Sequence, residues 1–194
     1  SLQCLVSRGW DINTDVNDSV PSALVYTFED KKLLEWFMKH GADPNKRCRI
    51  RDCTPLSYAV RDAPFEIIKL LFNKGGQIYH GQLLHYAAMR TADDNLVVLQ
   101  FIYNQDPVYN KSQINKLLDA GSPNYLMNER NGLGTPLHYA ASCGSVSIVT
   151  FLLDKGSVHD YLDPYHRTAM GYAVQNGHFE VQEILAGQNT DAST

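Results

Sequence analysis

Thr135-Pro136-Leu137-His138-Tyr139-Ala140-Ala141 is the stretch on which the fold turns. A threonine followed by proline opens a helix: the hydroxyl caps first-turn amides, and a proline at N1 has no amide hydrogen to lose. The stretch recurs. Thr54-Pro55-Leu56-Ser57-Tyr58-Ala59-Val60 differs at the histidine, Gln82-Leu83-Leu84-His85-Tyr86-Ala87-Ala88 keeps the Leu-His-x-Ala core, and Thr168-Ala169-Met170-Gly171-Tyr172-Ala173-Val174 is a weaker copy. A second block accompanies these copies. Ile67-Ile68 and Leu71-Phe72 run to Gly75, Ile148-Val149 and Leu152-Leu153 to Gly156, and Leu33-Leu34 and Phe37-Met38 to Gly41. Apolar residues at i, i+1, i+4 and i+5 make one buried stripe on a helix. The closing glycine suits the left-handed position after the last turn.

Thr135 to Thr168 is 33 residues. Both blocks at this period resemble the ankyrin repeat, over nearly the whole chain. The Gly81–Ala87 run is most similar to ankyrin arrays from fungi. The resemblance implies an all-α solenoid of helix-turn-helix repeats joined by β-hairpin-like finger loops, each repeat burying its apolar face against its neighbours. It also implies a hydrogen bond between the motif threonine and histidine. His85 and His138 are expected to make it, and Ser57 and Gly171 are not.

Five units follow. Residues 1–14 resemble the end of a truncated upstream repeat, which suggests a piece of a longer array. Repeat 1 is 15–45 and degenerate, with Val20-Pro21 or Ala23-Leu24 where Thr-Pro should stand; repeat 2 is 46–76 and repeat 3 is 77–105. Repeat 4 is 128–160, repeat 5 is 161–188 and cap-like, with polar Gln182 at an apolar position, and 189–194 is a polar tail. Gln82 to Thr135 is 53 residues, so 106–127 is an insertion. Within it, Ser112 to Gly121 reads as a short helix with Ser112 as N-cap. A decorated loop is the favoured reading of the insertion, and a contact element the sharper one.

Composition narrows the function. Of 194 residues, 44% are hydrophobic and 20% charged, which describes a folded domain rather than a disordered chain. Net charge is −4, which argues against nucleic acid or anionic membrane as partner. No apolar run reaches the ~20 residues of a membrane span. Cys4, Cys48, Cys53 and Cys143 form no C-x-x-C, so a reducing intracellular setting, cytoplasmic or nuclear, is expected. Two N-x-[ST] sequons, at Asn17 and Asn110, carry little weight.

No common nucleophile, phosphate-loop or metalloprotease motif occurs. Cys143 and His138 could pair, but His138 is committed to the turn. Cys48, Cys53, His40 and His80 match no common zinc module. No catalysis, cofactor or metal is therefore expected. Lys46-Arg47-Cys48-Arg49-Ile50-Arg51 is the densest charge feature, and its arginines suit an acidic or phosphorylated peptide. Tyr58, Tyr86, Tyr139 and Tyr172 share one repeat position, read as core packing with the hydroxyls reaching outward.

The resemblance places contact residues before the inter-helix turn and on the finger tips. These are Arg61, Asp62, Met89, Arg90, Cys143, Gln175 and Asn176, together with Arg47, Arg49, Ile50, Arg51, Leu133, Tyr165 and Arg167. The expected function is a monomeric protein-interaction module. The alternatives are a docking or regulatory domain acting on its own parent protein, and a ligand-binding protein or enzyme whose 106–127 insertion forms a pocket.

Overall fold

The computed structural model describes residues 2–128 and 134–188. Among these, all regular structure is helical, and the one β-bridge joins Asn17 to Val20. The tail 189–194 and the finger candidate Leu133 lie outside the described residues. The chain divides into two compact units, Ser1–Gly81 and Gln82–Thr194.

The first unit carries α1 (Leu2–Ser7), a single 3₁₀ turn (Ala23–Tyr26), α2 (Lys31–Lys39), α3 (Pro55–Asp62) and α4 (Phe65–Asn73). Asp30 caps α2 by accepting the Leu33 amide at 3.0 Å. Thr54 caps α3, accepting the Ser57 amide at 3.2 Å, and Pro55 stands at the first helical position. Leu34, Leu56, Ile68 and Leu71 are completely buried, as the two apolar blocks require.

The second unit carries α5 (Leu83–Ala88), α6 (Asn95–Gln105), α7 (Pro107–Gln113), α8 (Pro123–Asn128), α9 (Pro136–Ser142), α10 (Val146–Asp154), α11 (Ala169–Gln175) and α12 (Phe179–Gly187). Leu137, Ile148, Val149 and Leu152 are fully excluded from solvent, and Leu84 nearly so. Gln182 occupies an otherwise apolar position and donates to the Ala173 carbonyl at 3.2 Å.

The extra residues of repeat 3 differ from the expectation. The helix does not begin at Ser112. It is α7, capped by the Asp106 carboxylate on the Tyr109 amide at 3.0 Å, with Pro107 at N1. Ser112 lies in its last turn and donates back to the Tyr109 carbonyl at 2.6 Å. Asn110 is buried, and its amide donates to the Ile102 and Tyr103 carbonyls at 2.9 and 3.1 Å. That sequon asparagine therefore serves as a cap for the last turn of α6, fixing α7 against it.

Leu137 sits at the centre of the best-formed motif with no exposure. Leu137→Ala is expected to destabilise the second unit by ~2–5 kcal/mol through cavity formation, read from urea unfolding. Backbone amides of the 3₁₀ turn should exchange with deuterium well before those of α9; the opposite order would contradict the weakness of the first repeat.

Candidate functional site

The surface features rest on the loops between repeats. Four of the loops open as a hairpin-like finger whose first amide donates to the carbonyl just before the next motif. Val16 donates to Val20 at 3.0 Å, Cys48 to Cys53 at 2.9 Å, Leu118 to Gly134 at 3.0 Å, and Asp163 to Arg167 at 2.9 Å. Only isolated bonds close these fingers, so their remaining polar backbone needs side-chain partners.

Asparagines supply them. The Asn13 amide donates to the Gly41 carbonyl at 2.9 Å, and its oxygen accepts the Asp43 amide at 2.8 Å. Asn45 does the same to Gly75 and Gln77, at 2.8 and 2.8 Å. Asn115 does so to Gly156 and Val158, at 3.3 and 2.9 Å. Asn115 thus holds the finger position that Asn45 holds at the end of repeat 1. The extra length of repeat 3 is accordingly in two places: α7 before Asn115, and an enlarged finger that carries α8 and closes where the Leu118 amide bonds the Gly134 carbonyl.

The fourth motif residue ties three of the inner helices to the loop ahead, through Ser57, His85 and His138. At His138, Nδ1 accepts the Thr135 amide at 3.1 Å, and Nε2 lies 3.1 Å from the Arg167 carbonyl. An amide can only donate and a carbonyl only accept, so the proton is on Nε2. Ser57 was expected to fail in this role and does not. Its hydroxyl accepts the Thr54 amide at 3.0 Å and donates to the Gly81 carbonyl at 2.7 Å. The short side chain reaches because Gly81, at φ +79°, brings its backbone close; a Cβ there would stand 2.1 Å from the Ser57 Oγ. Gly171 has no such group and only donates its amide to Thr168 Oγ1, at 3.3 Å.

His85 is the exception. Its Nε2 lies 2.7 Å from the Lys116 carbonyl, but Gln82 replaces the threonine and Nδ1 is buried without a partner. Gln82 instead grips the finger directly, donating to the Leu117 carbonyl at 3.1 Å and accepting the Asp119 amide at 2.5 Å. Burial lowers the His85 pKa to about 4 and also depresses that of His138.

In the last finger, Asp163 is the hub. Its carboxylate accepts the Tyr165 and Arg167 amides at 2.8 and 2.9 Å and the Tyr172 hydroxyl at 2.6 Å. Burial would raise its pKa, but these donors and the Arg167 charge outweigh it and hold the carboxyl below its ordinary range. Sequence reasoning missed Asp163 and Asn115. The asparagine four residues past the helix-closing glycine, visible at Asn13 and Asn45, is the signal for this class, and α7 hides it at Asn115.

The candidates are distributed as follows. Arg47 and Arg49 are exposed, but they pair with Asp52 and Asp18, and Lys46 pairs with Asp15 at 2.8 Å. Ile50 and Arg51 beside them are half-buried. Arg61 forks onto Asp62 at 2.8 and 2.7 Å and lies over the Tyr58 ring. Arg90 corrects the expectation of exposure: it is buried, with its guanidinium on Asp94 at 2.6 and 2.9 Å. Met89 and Cys143 are half-buried and in contact, 3.9 Å from sulfur to the Met89 carbonyl oxygen, and burial raises the Cys143 thiol pKa. Tyr165 is exposed beneath Arg167, whose guanidinium also covers Tyr172. Gln175 is exposed, and Asn176 binds the Ser142 carbonyl at 2.8 Å.

The tyrosines pack as expected. Tyr86 is buried and the other three are half-buried. Tyr58 donates to the Ser19 carbonyl at 2.7 Å, and burial raises its pKa. Among the described residues, no three histidine, cysteine or acidic groups converge on a metal position. No described helix is long and apolar enough to cross a membrane.

Capped inner helices, amphipathic outer helices and side-chain-anchored fingers define a helical repeat protein. The family model described as ankyrin repeats, in 3 copies, matches residues 84–194. That is more than half of the chain, which belongs to the ankyrin-repeat family. A stretch of 54 residues, 28% of the chain, is 43% identical to a protein named probable E3 ubiquitin-protein ligase XBOS33, from Oryza sativa subsp. japonica. The match spans 10% of that protein's length.

The buried His85 gives the second unit a defined acid sensitivity. Unfolding restores its ordinary pKa of 6.5, so between pH 6.5 and about 4 the unfolded chain binds a proton that the folded chain does not. Stability should therefore be complete above pH 6.5 and fall as pH drops, by up to about 1.4 kcal/mol per pH unit from this group. His138 acts in the same direction. Urea midpoints measured across that range should show the slope, and His85→Gln should flatten it.

Proposed function

We propose that the chain is a protein-interaction module that binds a partner protein or peptide through its inner-helix face and finger loops, without catalysis of its own. Ankyrin repeats are protein-interaction modules, and family membership supports the general reading. The observation that carries the specific one is the display of exposed Arg47, Arg49 and Tyr165 on fingers anchored by side chains, the first at its base by Asn13 and the last by Asp163. Side chains on a preorganised frame lose less freedom on binding.

An acidic or phosphorylated segment suits the first-unit finger. The Arg47–Asp52 and Arg49–Asp18 pairs are solvent-exposed, and such pairs contribute only ~0–1 kcal/mol. A phosphate or carboxylate that offers a bidentate contact can displace either aspartate. The module acts as a monomer in the cytoplasm or nucleus, and the same surface would serve docking onto a longer parent chain. A second reading has its own observation. An open apolar groove of about 470 Å³ beside α7, lined by Tyr103, Pro107, Val108, Lys111 and Ser112, would give the insertion a small-ligand role.

Capture from lysate tests the first reading. A protein retained by the wild type and lost with the triple Arg47→Glu, Arg49→Glu, Arg51→Glu variant is the expected result, once both are shown to be folded. Equal recovery would remove the finger from the contact. Thermal shift against a metabolite panel tests the groove: a ligand whose shift is abolished by Val108→Glu supports it, and no shift from any compound rejects it.

A further inference from the structure

The first repeat lacks a proper inner helix, and that defect shapes a cleft. Val20 receives the finger bond that Cys53 receives in repeat 2, so Pro21 stands at the position of Thr54. Proline has no hydroxyl to cap a helix, and the Ser22 hydroxyl is buried without a partner. The inner segment accordingly makes only the 3₁₀ turn Ala23–Tyr26 before the chain passes to α2. Beside α3, where more helix would stand, a cleft of about 380 Å³ remains. Tyr26, Phe28, Glu29, Tyr58, Arg61 and Asp62 are among its lining residues.

Two features of the lining specify an occupant. The first is aromatic: Tyr26 is 67% exposed, unusual for so large a ring, and Tyr58 is held from behind by its bond to the Ser19 carbonyl. The second is charge. Arg61 is neutralised by its fork on Asp62, while Glu29 is exposed and enters no ion pair among the described residues. The lining therefore keeps one uncompensated carboxylate beside an exposed aromatic face. Arg61 already shows the arrangement in use, with its guanidinium 5.2 Å above the Tyr58 ring and bonded to a carboxylate. A cation over an aromatic face beside an anion is a favourable pairing.

We infer that this cleft is a subsite for a linear peptide segment that presents a lysine or arginine side chain next to an apolar residue. The cationic head sits between Glu29 and Tyr26, and the apolar neighbour covers Phe28 and the Tyr58 ring. This deepens the interaction reading and rests on it. It adds a site of opposite charge preference to the finger tips of the same unit.

The test uses the whole chain, ¹⁵N-labelled, titrated at low salt with acetyl-Leu-Arg-Leu-Leu-amide and with its Arg→Glu counterpart. Saturable shifts centred on Tyr26, Glu29 and Tyr58 are expected with the arginine peptide alone. Glu29→Gln and Tyr26→Ser should each weaken binding about fivefold, the range for an exposed cation–aromatic or charge contact. Both side chains are exposed, so the spectra of the variants should otherwise match the wild type. Equal response to the glutamate peptide, shifts mapping elsewhere, or no response at millimolar peptide each overturn the assignment. If a lysate partner is still captured in that event, the cleft falls and the interaction reading stands.

Discussion

At three places along the stack a side chain of one repeat completes the backbone of the next, and the surface of this protein depends on that exchange. The fingers are too short to form a continuous sheet, so their amides and carbonyls would otherwise compete for water or distort. Asparagine suits the task because a single amide group carries both a donor and an acceptor. Asn13, Asn45 and Asn115 each span a glycine carbonyl and the amide two residues later. Each bond of this kind contributes roughly 0.5–1.5 kcal/mol. The larger consequence is register: the finger can close in one place only, and the residues at its tip are displayed in a fixed frame.

The fourth motif position reaches the same end by several chemistries. His138 spans its gap with two ring nitrogens. Ser57 spans a narrower gap with one oxygen, made possible by the close approach of Gly81. Repeat 3 divides the work between Gln82 and His85, leaving one ring nitrogen unpartnered. Repeat 5 dispenses with the histidine and organises its finger around the Asp163 carboxylate. These solutions are alike in geometry and unlike in titration. The hydroxyl of Ser57 adds no charge on acidification, whereas the two histidines cannot gain a proton without losing the burial that suits their neutral form.

The helical frame was legible because capping and apolar spacing are local properties. Thr54, Thr135 and Thr168 announce helix starts whatever surrounds them, and the buried pairs in α4 and α10 follow from period alone. Features that depend on distance along the stack were not legible. Counting residues between Gln82 and Thr135 gives the size of an excess, not its position, so α7 and the enlarged finger merged into one segment. Ser112 was taken for the cap of the extra helix, whereas Asp106 caps it with Pro107 at N1, six residues earlier. Ser57 was undervalued because the compensating residue, Gly81, lies 24 positions away. Arg90 was read as exposed from its repeat position, but Asp94, four residues further on in the loop before α6, holds it in the interior.

The degenerate first repeat carries the same logic to a different end. Replacing the motif threonine by Pro21 removes the cap, and without it the inner segment holds only one tight turn. The buried Ser22 hydroxyl, left without a partner, is the residue of that lost start. The same segment keeps Tyr26 in solvent, and Glu29 beside it enters no ion pair among the described residues. The neighbouring repeat supplies the rest of the wall through Tyr58, whose ring is held in place by the finger of the first repeat itself. The loss of one helical turn is therefore not repaired by packing. It opens a concavity next to a rigid inner helix, with aromatic sides and a net acidic rim, and such a concavity is what an otherwise smooth helical face lacks for gripping a single side chain.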